Sequence, residues 1–329
     1  TFDMLNGSIW NKLILFALPL AASSILQQLF NAADVAVVGS FAGSGALAAV
    51  GANGPIINLL VNSFVGLSIG ANVVIASFIG QNDEKRTSLA AHTSILMSVI
   101  IGIVLLFVGF FFARPILELM STPDDIINLA EVYLKIYFIG VPFVMLYNFA
   151  AAVLRSKGDT QRPLIALFIG GVINVILNLF FVIVCHLGVA GVALASMISQ
   201  FISAFLILRA LLTGKEKYCL RLSEIRFDKR KAVGILQIGI PSAFQYSLFA
   251  FANLFVQSSV NSFDHVLVEG NSAAANADPL VYDMMAAFYT ACSSFIAQNF
   301  GARKKKRILQ TYLICLFYSF ITSLVLGVG

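Results

Sequence analysis

The sequence predicts an all-α membrane protein, and three observations carry that prediction. The chain is 59% hydrophobic and only 11% charged, with a mean hydropathy of +0.90, whereas soluble domains carry about 25% charged residues. Apolar runs of roughly 20 residues or more recur along all 329 residues, the length a helix needs to cross hydrocarbon. Runs such as SILMSVIIGIVLLFVGFFF (Ser94 to Phe112) do not alternate apolar with polar residues, as the strands of a transmembrane barrel must.

Nine spans follow from the apolar runs and their breaks: 10–40, 46–79, 88–112, 125–154, 162–185, 188–212, 231–262, 279–300 and 307–329. The breaks carry turn-forming residues in GQNDEKR, STPDD, RSKGDTQRP, HLGVAG and NFGARKKKR. The first run lacks a small-residue cleavage site closing a short apolar core, so it reads as a retained span rather than a signal peptide. Several spans exceed the bilayer thickness and imply tilt. The four cysteines (Cys185, Cys219, Cys292, Cys315) are far apart and form no CxxC pair, which gives no metal site and no disulfide framework.

Positive charge is sorted to one side. Lys12, Lys85, Arg86, Arg155, Lys157, Arg162, Arg209, the segment from Lys215 to Lys231 and the run Arg303 to Arg307 hold 19 of the 21 Lys and Arg residues. Arg114 is assigned to the other side and Lys135 to span four, while the opposite loops contain Asp124, Asp125, Asp264, Glu269 and Asp278. The positive-inside rule then places the N-terminus in the cytoplasm of a multi-pass protein of the inner (plasma) membrane. The net charge of +5 thus orients the protein in lipid and calls for no nucleic-acid partner.

The chain also repeats itself. Pro19 and Pro241 are 222 residues apart, as are Asn31 and Asn253. With one residue removed, IASFIGQNDEKR (75–86) lies over IAQNFGARKKKR (296–307), so that Gly80 meets Gly301 and Arg86 meets Arg307. A six-span unit is even, so both units enter the membrane in the same sense, as parallel repeats. The expected organisation is a six-helix bundle over 1–212, a basic cytoplasmic linker over 213–230, and the first three helices of a second bundle over 231–329, read as C-terminally incomplete. Secondary transporters commonly use such repeats and hold their substrate between the halves.

Polar residues inside the spans mark the candidate site. Asp34 lies 22 residues beyond Lys12, about 33 Å along a helix, and a charge at mid-bilayer costs about 2.5–3.5 kcal/mol. Ser23, Gln27, Asn31 and Asp34 share one stripe of span one. Its carboxylate is expected to face an enclosed wet cavity, where it can exchange a proton or hold a sodium ion with amide oxygens; the alternative is an interfacial acid paired with Lys135. Span five carries Asn174 and Asn178 beside Gly170 and Gly171, and span six carries Ser196, Ser199, Gln200 and Ser203. Asn58 and Asn62 lie in span two, Gln245, Asn253 and Gln257 in span seven, and Asp283 one turn into span eight. Each amide alone can simply bond a neighbouring helix; together they outline a polar cavity, with Asp283 near its mouth drawing in cations. Pro19, Pro55, Pro142 and Pro241 supply bends or hinges. No catalytic cluster, nucleotide-binding loop or metal-ligand spacing occurs, so no enzyme, cofactor or ATP-driven step is expected.

These residues resemble the multidrug and toxic compound extrusion (MATE) family. AVLRSKGDTQRPL (Ala152 to Leu164) is similar to its LRGxGDTRxP loop, and FNAADVAVVGSFAGSGALAAVG to its first span and loop. INVILNLFFV, GVAGVALASMIS, GIPSAFQ and IAQNFGARKKKR resemble spans five to eight. The resemblance implies twelve helices in two bundles and efflux of amphipathic organic cations driven by H+ or Na+. It implies a coupling role for Asp34 and Asn174, puts Ser196 where Thr is common, and adds Tyr137 and Asn148 to the network. Asn178 stands where many members carry Asp, which alters the ion site. No acid occurs between Ile235 and Ser259, which implies the DinF-like branch. The expected protein is a monomer in lipid acting on small amphipathic molecules. The alternatives are a lipid or polysaccharide-precursor flippase, which needs basic groups in its cavity, and a membrane enzyme or receptor.

Overall fold

In the computed structural model, which describes residues 3–214, 220–221, 226–260 and 278–328 (excepting the side chains of 249–251, 253–260, 278–280 and 327–328), all regular structure among the described residues is helical. The helices are α1 (Ile9–Phe41), α2 (Ser44–Gly80), α3 (Glu84–Leu119), α4 (Ile127–Ser156), α5 (Gln161–Leu179), α6 (Gly188–Thr213), α7 (Lys229–Val260), α8 (Asp278–Gly301) and α9 (Lys305–Val328). A π-helical turn, Phe180–Val184, extends α5. Seven of the nine are long and apolar enough to cross a membrane: α1 to α6 and α9. Apolar side chains facing outward, such as Phe107, Phe111 and Phe112 on α3 and Phe320 and Val325 on α9, suit hydrocarbon rather than water.

Within the described residues the predicted spans coincide with these helices, with one correction; positions 261, 262 and 329 of the predicted spans lie outside the described residues. Span three runs on to Leu119 and takes Pro115 inside it. Arg114, assigned to a loop, is therefore helical; it pairs with Glu118 at 3.1 Å and with Glu131 of α4 at 3.0 Å. Favourable pairing one turn apart lets the helix continue past the end of its apolar run.

α4 is the most enclosed of the seven spans, with two thirds of its apolar window buried. Its Ala150, Ala151 and Ala152 leave no room for solvent and let α2, α3 and α6 close around it. The GDT loop has a structural task here. Gly158 (φ 87°) ends α4 in the left-handed region that favours glycine, with the Gly158 and Asp159 amides donating to the carbonyls of Arg155 and Leu154. Asp159 then accepts from the amides of Gln161 and Arg162 and starts α5. Parts of the linker lie outside the described residues. The described parts lie on α3, where the Arg221 amide donates to His92 Nε2 at 3.0 Å and Thr93 bonds at Arg226 and Asp228.

The two copies of the repeat meet at their matching residues. A Cβ at Gly80 would overlap the Gln298 carbonyl, and one at Gly301 would overlap the Ser77 carbonyl. Both contacts map onto each other by the same 221-residue offset. The loops that follow repeat a detail as well: Asn82 and Arg303 both have positive φ, 55° and 57°. Asn72 Nδ2 donates to Ser294 Oγ at 2.8 Å, and Gln298 Nε2 donates to the Ser156 carbonyl at 2.7 Å. Farther along, Gly66 and Gly70 allow α2 to touch the α7 backbone at Ser242–Ala243 and at Ile235 and Gly239. The N-terminal segment closes the same end. Lys304 Nζ donates to the Leu5 carbonyl at 2.7 Å, Arg307 to the Gly7 carbonyl at 2.8 Å, and Asn299 to the Met4 carbonyl at 3.2 Å.

Gly80→Val and Gly301→Val are each expected to lower the melting temperature of the purified protein in detergent, through overpacking of about 1–3 kcal/mol. Gly54→Ala, where a Cβ meets nothing within 4 Å, is expected to leave it unchanged or raise it.

Candidate functional site

The packing of α1, α5 and α6 places the candidate residues. Two adjacent glycines on α5 set the approach. A Cβ at Gly171 would overlap the ring of Phe30, and one at Gly170 would overlap Ser203 Oγ. Phe30 therefore packs on α5 at Gly171, and Asp34, one turn farther along α1, accepts from Asn178, two turns beyond Gly171. Ser203 Oγ donates to the Ala166 carbonyl at 3.2 Å and holds α6 against the same helix.

Four polar side chains close into a ring. Asn178 Nδ2 donates to Asp34 Oδ1 and, at 3.3 Å, to Asn174 Oδ1. Asn174 Nδ2 donates to Ser196 Oγ at 3.3 Å, and Ser196 Oγ donates to Asp34 Oδ2 at 3.4 Å. Asn178 is fully buried, Asn174 is 5% exposed, and Asp34 is half-buried. Asn178 Oδ1 is buried with no partner among the described residues. The arrangement offers carboxylate, amide and hydroxyl oxygens, the hard donors that suit a small cation. No cluster of three His, Cys, Asp or Glu capable of holding a metal occurs among the described residues.

The other expected residues are distributed differently. Asn148 is buried but donates to the Val144 carbonyl of its own helix at 2.9 Å, outside the ring. Tyr137 is half-buried on α4, one turn beyond the buried Tyr133. Gln27 and Asn31 are exposed on α1, and Gln245 is exposed on α7. The side chains of Asn253 and Gln257 lie outside the described residues. Asp283 is half-buried and accepts a hydrogen bond from Gln28 Nε2 at 3.1 Å. This bond joins the two copies of the repeat. The stripe on α1 singles out Gln27, whereas the partner helix selects its neighbour, a choice that periodicity along one helix does not contain.

Two cations depart from the sequence expectation. Lys135 pairs with Glu131 at 2.6 Å and stands over the Phe110 ring; it is not the partner of Asp34. Arg155, grouped with the loop cations, lies inside the last turn of α4, and its Nε is enclosed. Its Nη2 reaches Ser68 Oγ of α2 at 3.4 Å.

Comparison with known proteins fixes the family. The MatE family model matches residues 19–180 and 241–328, the two stretches on either side of the linker. The chain belongs to the MatE family. Its relatives include the probable multidrug resistance protein YpnP of Bacillus subtilis (strain 168), 30% identical over 93% of this chain and 68% of the relative. YoeA of the same strain, also a probable multidrug resistance protein, is 29% identical over 97% of this chain and 70% of its own length. A solved outward-facing conformation of a multidrug resistance MATE family transporter of the MOP superfamily shares the fold, with a TM-score of 0.90. It is 23% identical, and the match covers 98% of this chain and 72% of that one. This MatE protein is a multi-pass membrane transporter of small molecules.

Gly171→Val is expected to push Phe30 off α5 and part Asp34 from Asn178. Efflux measured at matched expression should fall by about tenfold, a loss in the range of ordinary site-to-site coupling energies, with Gly171→Ala falling between it and the wild type.

Proposed function

We propose that the chain is a secondary active antiporter that exports amphipathic cationic drugs or toxic compounds in exchange for protons or sodium ions. It sits in the inner (plasma) membrane with its N-terminus and basic loops in the cytoplasm. The organisation we adopt is a six-helix bundle over 1–212, the linker 213–230 and a second set of helices from 231. The working unit is a monomer in lipid, and the coupling ion is its only cofactor.

The observation that carries this reading is the closed ring of Asp34, Asn178, Asn174 and Ser196. A carboxylate held by one neutral amide and a hydroxyl, with no described cation paired to it, is poised to accept a cation. A proton on Asp34 cancels its charge and weakens the bonds from Asn178 and Ser196, which are stronger to a charged acceptor. A sodium ion instead takes the carboxylate and the free Asn178 Oδ1 as ligands. Either event changes how α1 is held against α5 and α6. Pro19 leaves α1 one hydrogen bond short, so α1 bends, narrows the space between the repeats and expels the substrate. Asp283 and Gln28, which bond across that space, receive the cationic end of the substrate, with Gln27, Asn31 and Gln245 beside it. The names of the relatives support multidrug efflux as the cargo reading, and the absence of an acid between Ile235 and Ser259 supports the DinF-like branch.

Asp34→Asn is expected to abolish efflux at normal expression, and an unchanged rate would remove Asp34 from the mechanism. Transport by the full chain in proteoliposomes, with proton and sodium gradients imposed separately, identifies the coupling ion: only one gradient should drive uptake, and the response should vanish in Asp34→Asn. Asp283→Asn is expected to raise KM for a cationic dye by about tenfold, the effect of losing a hydrogen bond to a charged group, and to leave a neutral dye much less affected.

A further inference from the structure

Cys292 of α8 and Cys315 of α9 have no part in the coupling scheme. They share no CxxC spacing, and their separation in sequence predicts no contact. The tight turn around Arg303 folds α9 back along α8 and brings them together. Both are free thiols, and the Cys315 thiol donates a hydrogen bond to Cys292 Sγ. Packing on either side fixes the contact. One turn back along α8, the Phe288 ring stacks on Tyr318 of α9 with centroids 5.8 Å apart. One turn on, Phe295 is fully buried, as is Thr311 on the facing helix. Cys315 belongs to an apolar cluster with Phe16, Ala291 and Ile314, and Cys292 packs against it.

The depth of the pair decides its chemistry. α9 is one of the helices able to cross a membrane, and Cys315 is ten residues beyond Lys305, where that helix starts. This is about 15 Å along the helix, half-way through a hydrocarbon layer about 30 Å thick. Disulfides are rare in cytoplasmic proteins because glutathione and thioredoxin reduce them. That reduction proceeds by attack of a thiolate on sulfur, and a charged nucleophile is excluded from hydrocarbon. Neutral peroxides, among them lipid hydroperoxides formed in the acyl layer itself, are not excluded. Cys292 is half-buried and within reach of such a molecule. The hydrogen bond from Cys315 stabilises the negative charge that develops on Cys292 Sγ during attack.

We infer that Cys292 and Cys315 form a peroxide-sensitive disulfide pair within the membrane layer. In the first step the Cys292 sulfur takes one oxygen from a hydroperoxide. The O–O bond breaks, a sulfenic acid forms, and the thiol proton leaves on the alkoxide as an alcohol. In the second step the Cys315 sulfur displaces that oxygen. The S–O bond breaks, the S–S bond forms, and the hydroxyl leaves with the Cys315 proton as water. The pair loses two electrons and the peroxide gains them. The bridge ties α9 to the turn of α8 that carries Ser294 and Phe295, which meet Asn72 of α2 and Phe16 of α1. This site is independent of the ring around Asp34.

The full chain in lipid nanodiscs is treated with cumene hydroperoxide, unfolded in SDS with N-ethylmaleimide, and read by peptide mass spectrometry. The expected result is loss of alkylation at both cysteines and a peptide pair joined through them. The charged reductant TCEP is expected to leave the bridge in the intact nanodisc and to cleave it once SDS is added. Cys292→Ser is expected to leave Cys315 a free thiol after the same treatment. Two free thiols, or sulfinic acids with no bridge, overturn the inference. So does a bridge that TCEP cleaves as fast in the nanodisc as in SDS, or a Cys315 that bridges elsewhere in Cys292→Ser. If Cys292→Ser does not fold, the peptide map and the reductant test on the unsubstituted chain decide by themselves.

Discussion

A carboxylate within an apolar helix has to be surrounded by groups that tolerate it in either charge state. Asp34 meets that constraint through hydrogen bonds from Asn178 and Ser196, and these depend on three helices approaching more closely than ordinary side chains permit. Gly171 admits the Phe30 ring and Gly170 admits Ser203. Two missing β-carbons on α5 therefore decide whether the acid on α1 has partners. Neutral amides serve here better than a fixed cation would. A lysine would hold the carboxylate ionised, whereas the amides of Asn174 and Asn178 and the hydroxyl of Ser196 are neutral and can accept or donate.

The same use of small residues joins the repeats. Gly80 and Gly301 oppose one another's neighbouring turns through the same offset, and Gly66, Gly70 and Gly239 bring α2 and α7 into backbone contact. Within a bilayer, helix association draws little on the hydrophobic effect and depends on packing and polar contacts. Close backbone approach, reinforced by Asn72 with Ser294 and Gln298 with Ser156, supplies both. The N-terminal segment adds several bonds from Asn299, Lys304 and Arg307 at the same end. α1, which carries Asp34, also packs on α8, where the Phe16 and Phe295 rings meet edge to face at 5.7 Å. Asp34 and the joint between the repeats thus lie on one helix, with Pro19 between them.

The loop most specific to the family divides its labour between the turn and the interior. Gly158 and Asp159 end one helix and begin the next by hydrogen bonding, and Tyr147 ties the two helices again through Pro163. Arg155, three residues before the turn, points the other way, into the protein. A motif recognised as a unit in sequence thus contains residues with separate tasks, and only their surroundings distinguish them.

Among the described residues, hydropathy by itself marked the seven helices long and apolar enough to cross a membrane, α1 to α6 and α9, because each must satisfy its own backbone hydrogen bonds in lipid and so appears as an apolar run. It misjudged the end of α3, where the ion pairs of Arg114 carry the helix past that run. The repeat was legible at Gly80 and Gly301, since shared ancestry of position leaves identical residues at a fixed offset. The pairing of Asn174 and Asn178 was legible too, because two residues four apart must share a helix face. What one helix meets on another was not legible. Gln28 rather than Gln27 on Asp283 and the enclosure of Arg155 both depend on the rotation and separation of neighbouring helices. Those are set by which side chains are small enough at each crossing, a property of pairs of segments far apart in the chain, and so only the tertiary structure decided them.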